Sequence, residues 1–184
     1  MLAISGVGNP REVVAKIDPY IPIDMSFGRY LDTEKLYWRA VAKPASLVEI
    51  GVCARDGSIA SLTVTNLAPE QIKEGTVSMD DLEEEGTPLF DTSIWPSSCP
   101  DRHDQRFLDC NSVATLVLGA GEVMLWLSDE RLVSRWIGDR RVAFAVGADD
   151  SLLGICLHGL PEQDLDLLRA HGKSVVAGAE KSTR

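Results

Sequence analysis

Asp80-Asp81-Leu82-Glu83-Glu84-Glu85 is the densest run of chemistry-bearing residues in the chain, five carboxylates around one leucine. Carboxylates this close can imitate the charge of phosphates and cover a basic site on a partner, or they can simply keep a surface solvated. Leu89, Phe90, Ile94 and Trp95 follow closely. Apolar anchors beside acids resemble an interface core with a charged rim. The candidate partner-binding residues are therefore Asp80, Asp81, Glu83, Glu84, Glu85, Asp91, Trp95, Asp101, Asp104 and Asp109. The order of these acids lacks the glycine and the spacing of a calcium loop.

Thiols and imidazoles supply two further constellations. Cys99-x3-His103-x6-Cys110 has zinc-capable donors, with Asp101, Asp104 and Asp109 around it, but its spacing matches no common Cys/His site. Cys156-x-His158 puts both side chains on one face of a strand, opposite Ile155 and Leu157. Neighbours at i and i+2 lie farther apart than the roughly 2.6–3.2 Å that a nucleophile and its base require. Gly6-Val-Gly8 and Gly119-Ala-Gly121 lack the third glycine of a dinucleotide loop. The chain has three histidines, His103, His158 and His171, none beside another. The expectation is no catalytic residue, no metal and no cofactor. The four cysteines, Cys53, Cys99, Cys110 and Cys156, are widely spaced, which predicts reduced thiols in a cytoplasmic protein.

The elements that must position these groups read as an internal repeat. The first copy, 34–71, runs through Trp38, Val48 to Val52, the Arg55-Asp56-Gly57 turn, Ile59 to Val64 and Pro69-Glu70-Gln71. The second, 122–163, runs through Trp126, Val142 to Val146, the Asp149-Asp150 turn, Leu152 to Leu157 and Pro161-Glu162-Gln163. In this alignment Thr63 and Thr65 correspond to Cys156 and His158. Apolar and polar residues alternate at period two around each Asp turn, the pattern of antiparallel strands with one buried face. Proline suits a first helical turn, so a helix is expected after each hairpin, short after Pro69 and ended by Gly172 after Pro161. Asn9-Pro10 before Val13, Val14 and Ile17 predicts one more short helix.

Glu122 to Leu160 resembles a small bacterial domain of unknown function, found as short standalone chains. The resemblance lies in Leu125-Trp126-Leu127-Ser128, Val142 to Val146, Asp149-Asp150 and Leu153-Gly154-Ile155. It implies a β-rich unit and no particular activity.

The predicted fold is thus α+β, mainly antiparallel β, in one domain of 184 residues: two tandem three-stranded repeats, each followed by a helix, with an acidic insert at 72–111 and a flexible tail at 173–184. Tyr37 or Trp38, Trp126, Ile50, Val52, Leu62, Val64, Phe144, Val146, Ile155 and Leu157 should form the shared core. The chain carries 28 acids against 18 bases, a net charge of −10. Residues 70–112 alone hold eleven acids and three bases. Such a charge repels phosphate, arguing against nucleic acid and anionic membrane as partners. The longest apolar run, Val113 to Leu127, is broken by Gly119, Gly121 and Glu122 and is shorter than a membrane helix. The functional expectation is a non-enzymatic binding protein with a basic protein partner, most concretely an immunity protein that neutralises a toxin, such as a nuclease, by covering its active site. The alternatives are a small enzyme with an unrecognised Cys/His site and a regulatory or structural subunit of a complex.

Overall fold

The structure, a computed structural model, describes residues 1–28, 34–42, 46–79, 82–96 and 106–173. Period-two burial makes the strands. In β3 (Ile23–Phe27) Ile23, Met25 and Phe27 are buried while Asp24 and Ser26 are exposed. The same alternation runs through β4 (Lys35–Ala42), β5 (Ser46–Cys53) and β6 (Ile59–Asn66). With β2 (Val13–Lys16) and β10 (Phe107–Cys110) these form a six-stranded sheet, order β10-β4-β5-β6-β3-β2, antiparallel except where β10 runs parallel to β4. The helix expected over Val13 to Ile17 is instead strand β2. Val13 is buried and Val14, Ala15 and Lys16 are exposed, so the segment is an edge strand fixed by its pairing with β3.

The second sheet has seven strands. Its members are β7 (Ile72–Glu74), β8 (Glu84–Glu85), β11 (Thr115–Leu118), β12 (Glu122–Trp126), β13 (Arg135–Gly138), β14 (Val142–Val146) and β15 (Leu152–His158), in the order β7-β11-β12-β15-β14-β13-β8. Here β14 is buried at every position and β15 at all but its last, so both faces are covered. Continuous apolar strands of this kind need a cover on each side. The inner face meets the six-stranded sheet in one core, where the Phe27 and Phe144 rings lie 6.0 Å apart. The outer face, with Met124, Trp136, Ala143, Ala145, Leu153 and Cys156, is covered by Val77, Met79 and Leu82. A two-stranded ribbon of β1 (Ile4–Gly8) and β9 (Thr87–Phe90) completes the β structure.

Both Asp turns close hairpins as expected, β5–β6 and β14–β15, and both hairpins slip register at the same place, Gly51/Val52 and Ala145/Val146. The first strand of each copy, however, is placed differently from the sequence alignment. β4 pairs with β5, whereas β12 pairs with β15. The structural counterpart of β12 is β3, and that of β4 is β13. The sheets then contain one strand order twice, β4-β5-β6-β3-β2 and β13-β14-β15-β12-β11. Trp38 is therefore not the equivalent of Trp126. Nor is Trp126 a core residue: it is half-buried on the outer face, with the Arg131 guanidinium 5.4 Å from its ring, while Trp38 and Trp136 are buried. The helix after the first hairpin is a single 3₁₀ turn, Pro69–Gln71, because the chain then enters β7. After the second hairpin, α1 (Glu162–Lys173) buries Leu165 and Leu168. It has 12 residues, and no described helix is long and apolar enough to cross a membrane. The tail at 174–184 lies outside the described residues.

Candidate functional site

The acidic insert is not a separate body. It supplies β7, β8, β9 and β10 to all three sheets, and its apolar residues Val77, Met79 and Leu82 strap the outer face of the seven-stranded sheet. Its acids are dispersed accordingly. Glu83, Glu84 and Glu85 are exposed where β8 forms the outermost strand. Glu84 lies 3.7 Å from Arg135, which also binds Asp150 at 2.7 Å. Asp91 caps the 3₁₀ turn Thr92–Ile94 by accepting from the Ser93 N–H at 2.8 Å, and that bond holds its carboxyl below the usual range. Asp109 sits on the edge of the other sheet and receives Arg39 Nε at 2.6 Å. Arg39 in turn lies 4.5 Å above the Phe107 ring, which stacks on Tyr37 with centroids 5.0 Å apart. Trp95 departs from expectation. It is 4% exposed and part of the core, so its indole is already filled against this chain and cannot anchor a partner. Asp80, Asp81, Asp101 and Asp104 lie outside the described residues, as do Cys99 and His103.

A second constellation forms on the outer face of the seven-stranded sheet. Strand alternation puts Cys156 and His158 on the outer face, away from Ile155 and Leu157 in the core, as the sequence predicts. Pairing of β12 with β15 then brings Glu122 opposite His158 and Met124 opposite Cys156. Glu122 Oε2 is 3.2 Å from His158 Nδ1. One donor atom from each of Glu122, Cys156 and His158 lies within 4.8 Å of the other two. Among the described residues, His158 Nε2 is buried with no hydrogen-bond partner. Burial, and then the Glu122 carboxylate, push the Cys156 thiol up to about 12, so at neutral pH it is protonated and a poor nucleophile. The arrangement is a set of ligand atoms rather than an activated thiol. Sequence reasoning missed Glu122, since its approach to His158, 36 residues away, depends on strand register.

Open concavities flank these groups. A groove of about 420 Å³ runs between the strap and the sheet, lined by Val77, Val117, Met124, Trp126 and Arg131 among others. Another of about 630 Å³ borders Asp109 and is lined by Val41, Ala42, Cys110, Asn111 and Val113. Cys53, Cys110 and Cys156 are unpaired thiols. The chain matches no family model and no curated protein.

Proposed function

We propose that this chain is a non-enzymatic binding protein whose acidic surface covers a basic site on another protein, and most concretely a bacterial immunity protein that neutralises a toxin, such as a nuclease. The observation that supports this reading is the distribution of charge: residues 70–112 hold eleven acids against three bases in a chain of net charge −10. Three of those acids are consecutive and exposed, Glu84 and Glu85 on an outermost strand and Glu83 just before it. An acidic edge of this kind steers a basic partner into place and raises the association rate more than the affinity. Blocking then follows from occlusion of the partner's cleft. The unpaired thiols Cys53, Cys110 and Cys156 suit a reducing cytoplasm. The resemblance of residues 122–160 to a small bacterial domain suits a bacterial origin.

Co-expression tests the reading. If the reading frame beside this chain encodes a toxin, a cell producing that toxin should survive when this chain is present. Survival should be lost when Glu83, Glu84 and Glu85 are all changed to Lys. Equal protection by wild type and triple variant would remove the acidic edge from the interface and contradict the proposal.

A further inference from the structure

We infer that Glu122, Cys156 and His158 form a binding site for one divalent transition-metal ion of the zinc type, on the outer face of the seven-stranded sheet. The three donors are a thiol, an imidazole and a carboxylate, the set that zinc takes in protein sites. Their ligand atoms already lie within 4.8 Å of one another. Zinc bonds of about 2.0–2.3 Å place ligand atoms roughly 3.3–3.8 Å apart in a tetrahedron. The trio therefore needs to draw in by only about 1 Å, a rotamer-scale adjustment.

An ion can take over the contact already made between two of these side chains. The ring nitrogen that faces the other two donors is His158 Nδ1, 3.2 Å from Glu122 Oε2, and it offers its lone pair to the ion when the ring proton sits on Nε2. On binding, the Cys156 S–H passes its proton to water and the thiolate takes the ion, as coordinating thiols do. Three protein ligands leave the fourth position to water. The side chains of Glu122 and His158 are 29% and 17% exposed, which gives the ion its path from solvent.

The fold itself does not demand these residues. In the matching unit, Thr63 faces Asp24 and Glu49 across neighbouring strands as Cys156 faces Met124 and Ala143. Two residues along stand Thr65 and His158, and Pro22 precedes β3 where Glu122 opens β12. The same strand order is thus built with Pro, Thr and Thr in place of Glu, Cys and His.

That comparison supplies substitutions the strand already tolerates. Purified, reduced full-length protein is titrated with Zn²⁺ by calorimetry and with Co²⁺ by absorbance. The expected result is one ion per chain, with a cobalt–thiolate charge-transfer band and the visible bands of tetrahedral cobalt. Cys156→Thr should abolish the charge-transfer band, and His158→Thr should weaken binding at least tenfold, the size of loss that even outer-shell changes produce. Glu122→Gln, which keeps shape and partial exposure, should also weaken it. A Cys99→Ser, Cys110→Ser double variant should bind as wild type. Absence of saturable binding by wild type would overturn the assignment. So would a thiolate band that survives Cys156→Thr and disappears in the Cys99/Cys110 variant.

Discussion

Gly57 and Asp150 occupy the same place in the two hairpin turns, with φ of +72° and +61°. In each turn the preceding aspartate, Asp56 or Asp149, accepts from the backbone N–H and hydroxyl of a buried serine, Ser58 or Ser151. The Gly57 carbonyl accepts from the Phe90 N–H at 2.7 Å, and the Asp150 carbonyl accepts from the Ile4 N–H at 2.9 Å. Ile4 and Phe90 pair with each other in the ribbon. Each ribbon strand is therefore bonded to the turn of the unit other than the one that directly follows it in sequence. The ribbon links the two halves of the molecule at both ends of this exchange.

The two turns should respond differently to substitution. At Gly57 a Cβ would run into the Phe90 carbonyl oxygen, on backbone that cannot swing away. Gly57→Ala should cost at least about 1 kcal/mol in denaturant unfolding. Asp150→Gly relieves a left-handed non-glycine residue but gives up the exposed ion pair with Arg135, so it should change stability by less than about 1 kcal/mol.

The tryptophans rank by burial. Trp38 is 1% exposed, and Trp38→Ala should cost about 3–5 kcal/mol. Trp126 is half-buried on the outer face under Arg131. Its truncation should cost less than about 2 kcal/mol, because part of the ring is never taken out of water. Equal losses from urea titrations of the two variants would put Trp126 in the core after all.

These two predictions show what was legible in the chain. The hairpins were, because an Asp turn between period-two segments specifies both strands and the bend. Strand order was not. Alternation tells which face a residue occupies but not which strand lies beside it. Trp126 and Trp136 sit on neighbouring sequence segments, and Trp136, which like Trp38 is flanked by an arginine, lies on the strand that corresponds to β4. Val13-Val14 to Ile17 has helical spacing as well as β-branched residues, and the free edge of β3 settles it as strand. Cys156 and His158 were legible as a same-face pair, whereas Glu122 joins them through the register of β12 on β15. Trp95 shows the limit at the acidic insert: an aromatic beside acids reads alike whether it faces a partner or its own core.

Acid should loosen the loop before β3. Asp18 accepts from the N–H groups of Tyr20 and Ile21 at 2.8 and 2.9 Å and pairs with Lys16 at 3.0 Å. The Ile21 bond first, then those to Lys16 and Tyr20, lower its carboxyl from 3.8 to about 2. A group whose pKa is lower in the folded state binds fewer protons there, so its contribution is full above the unfolded value of 3.8 and is lost as pH falls towards 2. Asp18→Asn should flatten the stability profile in that window and leave the slope above it unchanged. Urea midpoints across the acid range, wild type against variant, check this.

The acidic edge is best tested by the rate at which the partner arrives. Stopped-flow association of this chain with the basic protein it is proposed to neutralise is measured as salt rises from 0.01 to 0.1 M, over which the Debye length falls from about 30 to 10 Å. The account predicts fast association that slows steeply with salt. It also predicts an on-rate at least about tenfold lower when Glu83, Glu84 and Glu85 are changed to Lys, with urea stability little changed. An on-rate that ignores both salt and the triple substitution would contradict it.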